Sequence, residues 1–195
     1  MFSIGDWKYD GDVTSNRYDQ NNNQIGTGET LYLDGVKVGD AAQMTASFGA
    51  GYEVLKGLKV DANYRFVDKL YASINPANFN VEDHKGSLEL PNYGLMDAGI
   101  SYKMLVGKDK DKAVTLRFNM NNVLDEIYIA ESRTNNHVKT QADFVFPAGD
   151  PNAGQPNTVA YQNYLNTSIY DGVDTSNQVY FGFGRTWNFT LRYQF

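Results

Sequence analysis

The chain has 195 residues, carries a formal net charge of −6 and contains no cysteine. The negative charge argues against nucleic acid as a partner, because nucleic-acid-binding surfaces are basic, and the lack of cysteine excludes disulfides and thiolate metal sites. No run of about 18 apolar residues occurs, which excludes a transmembrane helix. Aromatic residues make up 14% of the chain and glycine occurs 18 times, a composition that favours strands joined by turns.

The predicted strands begin near the N-terminus with an irregular stretch from Phe2 to Tyr18. Its apolar residues change phase after Ile4, so we expect a β-bulge near residues 5–6. Apolar and polar residues then alternate through residues 42–54, 58–66, 96–104 and 114–120. An alternation of period two predicts strands with one apolar and one polar face.

The last predicted strand is the longest and runs from Val179 to Phe195. Apolar residues fall on every second position of this stretch, and only Arg185 departs from the pattern. The apolar phase ends in Trp187, Phe189, Leu191, Tyr193 and Phe195. Strands in globular proteins are usually about five or six residues long, so the length of this stretch disfavours a soluble sheet.

The connections between the predicted strands alternate in length. Tight turns are expected at residues 56–57 and 107–111, and long connections rich in Asn, Asp, Gly and Pro at residues 19–40, 75–91 and 134–177. Outer-membrane barrels show the same asymmetry, with short periplasmic turns and long outer loops. We therefore predict an all-β fold that supplies about six long, consecutive, antiparallel strands of a transmembrane β-barrel.

Six strands cannot close a barrel, for which about eight is the lower limit. The sheet is therefore expected to continue in further chain, of which residues 1–195 would be a C-terminal piece. This expectation agrees with the N-terminal residues, which show no basic segment followed by an apolar core and so predict no signal peptide.

Two alternatives remain open at the level of the sequence. One is a small stand-alone outer-membrane barrel with a structural or adhesive role, in which residues 19–40 and 134–177 hide two weak strands. The other is a soluble carbohydrate-binding β-sandwich, since soluble sheets also alternate apolar and polar residues.

The polar phase of the predicted strands repeatedly carries charged side chains of both signs. These are Glu53, Lys59, Asp61, Arg65, Asp97, Lys103, Arg117 and Arg192. In a barrel this phase lines the lumen. The mixture of signs favours mutual pairing that braces the wall and a plug over direct contact with a substrate.

No arrangement of residues typical of catalysis occurs in the sequence. His84 and His137 lie in long polar connections, with no neighbouring Cys and no second His at helical spacing. Neither a metal site nor a nucleophile–base pair is therefore predicted. We expect no enzymatic activity, no metal and no cofactor.

The long connection at residues 134–177 is the predicted ligand-binding segment. It carries five aromatic residues among Asn and Gln, namely Phe144, Phe146, Tyr161, Tyr164 and Tyr170. Aromatic rings contribute large contact areas at little cost in conformational entropy, and loops on a rigid wall are frequent binding sites. Sugars or large chelates are the ligands expected to stack there.

Two C-terminal motifs resemble those of a known family. The segment 185–195, preceded by Gly182-Phe-Gly184, resembles the last strand of TonB-dependent receptors, the plugged outer-membrane transporters of about 22 strands. Residues 121–128, Asn-Asn-Val-Leu-Asp-Glu-Ile-Tyr, resemble the box on the family's penultimate strand. Residues 5–9, 38–43 and 52–59 are similar to receptors of the Bacteroidetes type.

The resemblance implies a C-terminal barrel portion of a receptor that imports a nutrient complex of the siderophore, cobalamin or glycan class. It implies location in the outer membrane of a Gram-negative cell, with lipid, the barrel-assembly machinery and the remaining barrel strands as partners. TonB would act through the plug, which has no counterpart in this sequence. The assembly signal would be the row of Trp187, Phe189, Leu191, Tyr193 and Phe195.

Overall fold

The fold consists mainly of antiparallel strands, which confirms the all-β class. The computed structural model describes residues 1–26 and 28–195. In chain order the elements are β1 (Phe2–Ile4), β2 (Val13–Ser15), β3 (Glu29–Leu31), β4 (Met44–Leu55), β5 (Leu58–Asp68), β6 (Leu70–Tyr71), a 3₁₀ helix (Pro76–Phe79), β7 (Glu89–Leu90), β8 (Tyr93–Val106), β9 (Lys112–Asn121), β10 (Ile129–Ser132), a second 3₁₀ helix (Gln141–Asp143), α1 (Thr158–Thr167), β11 (Ile169–Tyr170), β12 (Val173–Asp174), β13 (Val179–Phe181) and β14 (Thr186–Gln194).

Six strands form the main sheet, in the order β1-β4-β5-β8-β9-β14. Each strand is antiparallel to its neighbours, and their order in the sheet follows their order in the chain. The five longer strands contain 12, 11, 14, 10 and 9 residues. Six antiparallel strands therefore follow one another in chain order, but only five of them are long, because β1 contains three residues; their membership of a barrel stays a prediction.

One face of the main sheet is apolar, because the strand register places the apolar phases on the same side. A single row across the sheet joins Tyr52, Val60, Ile100, Phe118 and Phe189 as directly opposed residues. A register shift of one residue would turn a strand's apolar side chains to the other face. Large side chains of this apolar face are exposed, including Phe2, Ile4, Phe48, Tyr52, Tyr102, Trp187, Phe189, Leu191 and Tyr193.

The opposite face of the main sheet is polar and internally hydrogen-bonded. Asp61 and Arg117 form an ion pair at 3.0 Å between β5 and β9, and Arg117 also donates to Asn119 at 2.7 Å. Glu53 and Lys59 lie 3.9 Å apart on β4 and β5. The predicted mutual pairing of charges is thus present for two pairs on this face.

Tight turns join β4 to β5 and β8 to β9 at one end of the sheet, called the turn end here. Gly57 has φ +85 in the first turn, and a Cβ atom there would overlap the carbonyl oxygen of Lys103. Glycine is therefore the only residue that fits this turn without a shift of the backbone.

The buried apolar clusters lie at the other end of the sheet, the loop end. The larger cluster consists of Leu70, Ala72, Leu88, Leu90, Ile129 and Val173, and the smaller one of Leu33, Val36 and Phe79. Their members come from all three long connections, which therefore pack together. We call residues 29–40, 70–91 and 129–181 the loop-end unit; it holds the protein's core.

The last predicted strand is broken in the structure, which corrects the prediction of one strand from Val179 to Phe195. β13 pairs with β10 inside the loop-end unit, whereas β14 pairs with β9 in the main sheet. Asp125 holds the break between them, since it accepts from the backbone N–H of Arg185 at 3.0 Å and pairs with its guanidinium at 3.3 Å. Alternation across residues 182–184 continues in the sequence although the hydrogen-bond ladder does not.

The motif at residues 121–128 starts at the end of β9 and supports the same break. Asn122 is buried with φ 49. Its side-chain amide donates to the carbonyl groups of Glu126 at 2.9 Å and Phe183 at 3.2 Å, and its oxygen accepts from the Glu126 N–H at 2.9 Å. A short polar side chain that tolerates positive φ is required here.

The first predicted stretch is also shorter than expected. β1 ends at Ile4, and Gly5 donates the last bond toward the main sheet, to the Gln43 carbonyl at 2.7 Å. Tyr9 then bonds to Val36 in the loop-end unit at 2.9 Å. The change of phase in the sequence therefore marks the end of β1. The strand does not extend into residues 5–6, where the bulge is predicted.

The main sheet is open within the described residues. β1 pairs only with β4, and β14 pairs only with β9. The described parts of residues 19–40 and 134–177 contribute to short two-stranded ribbons and form the helix α1, and add no strand to either edge of the main sheet.

Candidate functional site

A polar cleft of about 530 Å³ opens in the loop-end unit. Its walls come from residues 78–86, 135–139 and 174–176, which are distant in sequence. The polar and charged side chains of its lining include His84, Lys85, Asn136, His137, Lys139 and Asp174. Small-molecule sites usually enclose about 300–1,000 Å³, so this loop-end cleft has the size of a ligand site.

Asparagine side chains fasten the walls of the loop-end cleft to one another. Asn135 donates to the Gly86 carbonyl at 2.8 Å and accepts from the Leu88 N–H at 2.6 Å. Asn177 accepts from the Asn136 N–H at 2.8 Å and donates to the Asn136 carbonyl at 2.8 Å. Asn177 is buried and Asn135 is half-buried, and together their hydrogen bonds hold the walls of the cleft in one arrangement.

Both histidines of the chain lie in this cleft, a proximity that the sequence does not indicate. His84 donates from Nε2 to the Tyr32 carbonyl at 2.7 Å and accepts at Nδ1 from the Gly86 N–H at 3.1 Å, with its ring 4.6 Å from that of Phe79. His137 donates from Nε2 to the Gly86 carbonyl at 3.1 Å. Because a carbonyl only accepts, Nε2 carries the proton in both rings. His84 is fully engaged in holding the wall.

Asp174 is the buried acid of the cleft and is only 3% exposed. Its Oδ2 accepts from the Tyr164 hydroxyl at 2.5 Å and its Oδ1 from the Ser176 N–H at 2.8 Å. Burial raises the pKa of Asp174, but these hydrogen bonds more than offset it and the pKa lies below its ordinary value. Burial and the bond to Asp174 raise the pKa of Tyr164.

Lys85 and Lys139 bring positive charge to the rim of the cleft. The Lys139 ammonium lies 5.8 Å from the centre of the Tyr164 ring, a cation–π distance. The pKa of Asp143 is lowered, first by the backbone and hydroxyl hydrogen bonds of Thr140 and then by these two lysines. Neither lysine forms an ion pair within 4.0 Å in the part of the chain that the structure describes.

Three of the five predicted ligand-binding aromatics form one cluster behind the cleft. The Phe144 ring lies 5.0 Å from that of Tyr164 and 5.6 Å from that of Tyr161. Tyr164 is buried, and its hydroxyl accepts from the Lys139 N–H at 3.0 Å. The cluster therefore supports two residues of the cleft, and the Tyr164 ring is not available for stacking on a ligand.

The other two predicted aromatics lie apart from this cluster. Tyr170 packs edge-on against Phe181 at 5.7 Å, beside an apolar cavity of about 310 Å³. Phe146 bonds through its backbone to Gln155 at 3.0 Å and has no ring partner among residues 1–26 and 28–195. The structure thus separates the five rings, and their role in ligand capture stays a prediction.

The five residues of the predicted assembly signal lie along β14 and its end. Trp187, Phe189, Leu191 and Tyr193 are exposed on the apolar face. Phe195 follows at the turn end, 94% exposed, with its ring 6.2 Å from that of Tyr193. These residues therefore form one continuous apolar row, whose recognition by an assembly machinery stays a prediction.

The described residues contain neither a candidate metal-binding group of side chains nor a candidate membrane-spanning helix. No group of three or more His, Cys, Asp or Glu side chains suited to a metal ion occurs among the described residues. No described helix has the length and apolar character needed to cross a membrane.

Comparison with known proteins gives no further guide to the site. No family model, curated protein or solved structure matches the chain. The function is therefore inferred from the main sheet and the loop-end cleft themselves.

Proposed function

We propose that the chain is the C-terminal part of a TonB-dependent outer-membrane receptor, a plugged barrel that imports a nutrient complex. The single observation that carries this proposal is the apolar face, which extends over all six strands and leaves many of its large side chains exposed. Soluble monomers rarely expose contiguous apolar patches of more than a few hundred Å². Lipid is the environment that stabilises such a face.

The length of the strands supports a membrane as that environment. A transmembrane β-strand needs about 9–11 residues, and the five longer strands of the main sheet contain 12, 11, 14, 10 and 9. The two clusters of buried apolar residues lie beyond these strands, in the loop-end unit. A sheet with one face toward lipid has no need of a core against that face.

The two ends and the two faces of the sheet agree with this orientation. Short turns at one end and long connections at the other correspond to the periplasmic and outer sides of a barrel. The polar face, with its Asp61–Arg117 ion pair, would line the lumen. Further strands would extend the open edges at β1 and β14 toward a closed barrel.

The two alternatives are less well supported. A stand-alone barrel of about eight strands needs two strands from residues 19–40 and 134–177, but the described parts of these segments pair in separate ribbons. A soluble sandwich needs a second sheet packed on the apolar face. In the described chain Phe48 and Tyr52 on that face are 71% and 72% exposed.

A pair of substitutions on one strand tests the proposal. Leu191→Glu places a carboxylate on the apolar face, and Thr190→Glu places the same group on the polar face, opposite Arg117. In the full receptor Leu191→Glu should lower the folded outer-membrane fraction severalfold, because a carboxylate facing lipid is destabilising, although by less than the about 2–4 kcal/mol that Arg or Lys costs at the midplane.

The readout is the heat-modifiable gel mobility of the protein in isolated outer membranes. Thr190→Glu should leave the folded fraction unchanged, since the polar face already holds charged groups. Equal tolerance of both substitutions, or purification of the parent protein as a clean monomer without detergent, would overturn the proposal.

A further inference from the structure

We propose that the loop-end cleft binds an acceptor-rich anion, such as a polycarboxylate or a phosphate ester, between Lys85 and Lys139. The assignment of this anion as the transported ligand rests on the proposed function, whereas binding itself does not. The Gly86 carbonyl and the Asp174 carboxylate already accept hydrogen bonds within the protein. The ammonium groups of Lys85 and Lys139 form no ion pair in the described chain.

Two acceptor groups that line the cleft, the Gly86 carbonyl and the Asp174 carboxylate, already accept hydrogen bonds from the protein itself. The Gly86 carbonyl receives Nδ2 of Asn135 at 2.8 Å and Nε2 of His137 at 3.1 Å, which uses both of its lone pairs. The two oxygens of Asp174 receive Tyr164 and Ser176. Asp174 is the one acid among the described residues that line the cleft, and each of its oxygens already accepts a hydrogen bond.

The donors of the cleft are free by comparison. The ammonium groups of Lys85 and Lys139 make no ion pair within 4.0 Å in the described chain. The nearby carboxylate of Asp143 is held by the N–H and hydroxyl of Thr140, at 2.7 and 3.0 Å. Each lysine can therefore donate to a bound anion, and charge-assisted bonds of this kind are about twice as strong as neutral ones.

The accessible charge of the cleft is therefore positive despite the acid in its wall. Asp174 is buried behind its hydrogen bonds, whereas both lysines are exposed. Glu82 and Asp83 lie in the same connection as Lys85 but do not line the cleft. The volume of about 530 Å³ exceeds that of a single inorganic ion, which favours an anion carried on a larger organic molecule.

The test measures binding to the full receptor in detergent by calorimetry. The probes are tricarballylate, its uncharged triamide and inorganic pyrophosphate, each at up to millimolar concentration. At least one anion should bind and the triamide should not. In Lys85→Gln/Lys139→Gln the affinity for that anion should fall at least tenfold, and added salt should weaken binding to the parent protein.

A matched control removes the same charge elsewhere. Lys108→Gln/Lys110→Gln lowers the net charge equally but lies in the tight turn at the opposite end of the sheet, and should leave binding unchanged. Binding of neither anion, equal binding of the triamide, or an equal loss in both double variants would overturn the proposal. If the parent protein inserts into the membrane but binds neither anion, the cleft proposal alone is rejected. If the parent protein binds an anion but needs no detergent, the barrel proposal alone is rejected.

Discussion

Tyr164 connects the aromatic cluster to the loop-end cleft through its hydroxyl group. The hydroxyl donates to Asp174 and accepts from the Lys139 N–H. Tyr164→Phe should therefore destabilise the loop-end unit by about 1.5–3 kcal/mol, because it removes a hydrogen bond to a buried charge. The Lys139 and Ser176 amides should lose protection in hydrogen exchange.

Tyr161→Phe is the matched control, because the Tyr161 hydroxyl makes no hydrogen bond within the described residues. Its protection pattern should equal that of the parent protein. If both variants lose protection alike, the loss reflects ring packing and the Tyr164–Asp174 bond has no special weight.

Asp174 also predicts a pH dependence of the loop-end unit. Its folded pKa is lowered, so the folded unit binds fewer protons than the unfolded one. The resulting stabilisation is present above the ordinary aspartate pKa and is lost as pH falls through the lowered folded value. The Tyr164 pKa is raised, so its contribution is present below about pH 10 and is lost as pH rises through the folded value.

The measurement is the thermal midpoint of the loop-end unit from near-ultraviolet circular dichroism between neutral and acid pH. Asp174→Asn removes the titrating group and should reduce the fall of the thermal midpoint toward acid pH. If the midpoint falls equally in the parent protein and the variant, other carboxylates cause the acid sensitivity.

The histidines and lysines of the cleft also show what a sequence leaves hidden at this scale. His84 and His137 have no neighbouring Cys and no second His at helical spacing in the sequence, and nothing in their local pattern indicates a shared cleft. Their proximity depends on Asn135 and Asn177 joining separate segments, a tertiary effect without a periodic signal. Lys85 and Lys139 resemble ordinary solvated loop charges for the same reason.

The strands, by contrast, follow directly from period-two alternation at the scale of elements. Strands β4, β5, β8 and β9 occupy the predicted stretches because their side chains must alternate between two different environments. At residues 182–184 the alternation continues in the sequence, with Phe183 in the apolar phase, but the hydrogen-bond ladder stops. The Asn122 and Asp125 contacts, which the pattern does not indicate, hold the chain at this break.

Gly182 makes the break between β13 and β14 testable. A Cβ atom at this position would overlap the ring of Tyr128, which packs 4.2 Å from the ring of Tyr93. Gly182→Ala should therefore destabilise the junction of the two strands by about 1–3 kcal/mol, the usual range for overpacking. Urea unfolding of the full receptor in detergent micelles would measure the change.

Gly184→Ala is a close control for that substitution. A Cβ atom there would lie 3.6 Å from the nearest atom, an Asp125 carboxylate oxygen, which is ordinary contact. This variant should keep the parent stability, so equal destabilisation by both substitutions would show that chain flexibility at the break, and not the Tyr128 contact, is what matters.

At the scale of the whole molecule, the sheet and the loop-end unit divide two tasks. The sheet lacks a core of its own and depends on what covers its apolar face, whereas the loop-end unit holds the buried clusters. Disturbances of the two parts should therefore separate. Substitutions in the cleft should alter ligand binding without altering insertion, and substitutions on the apolar face should do the reverse.

Phe195 provides the last test, because it lies beyond the hydrogen-bonded part of β14 and contributes little to the folded sheet. It is 94% exposed at the turn end. Under the proposed function, deletion of Phe195 from the full receptor should slow insertion by reconstituted assembly machinery severalfold, while the urea midpoint of the inserted protein stays within error of the parent. Leu191→Ala should instead lower the urea midpoint and change the insertion rate little. It removes apolar surface that the proposed function places against lipid, and such surface is worth about 25 cal/mol per Å². Insertion at the parent rate without Phe195 would make it an ordinary lipid-facing ring.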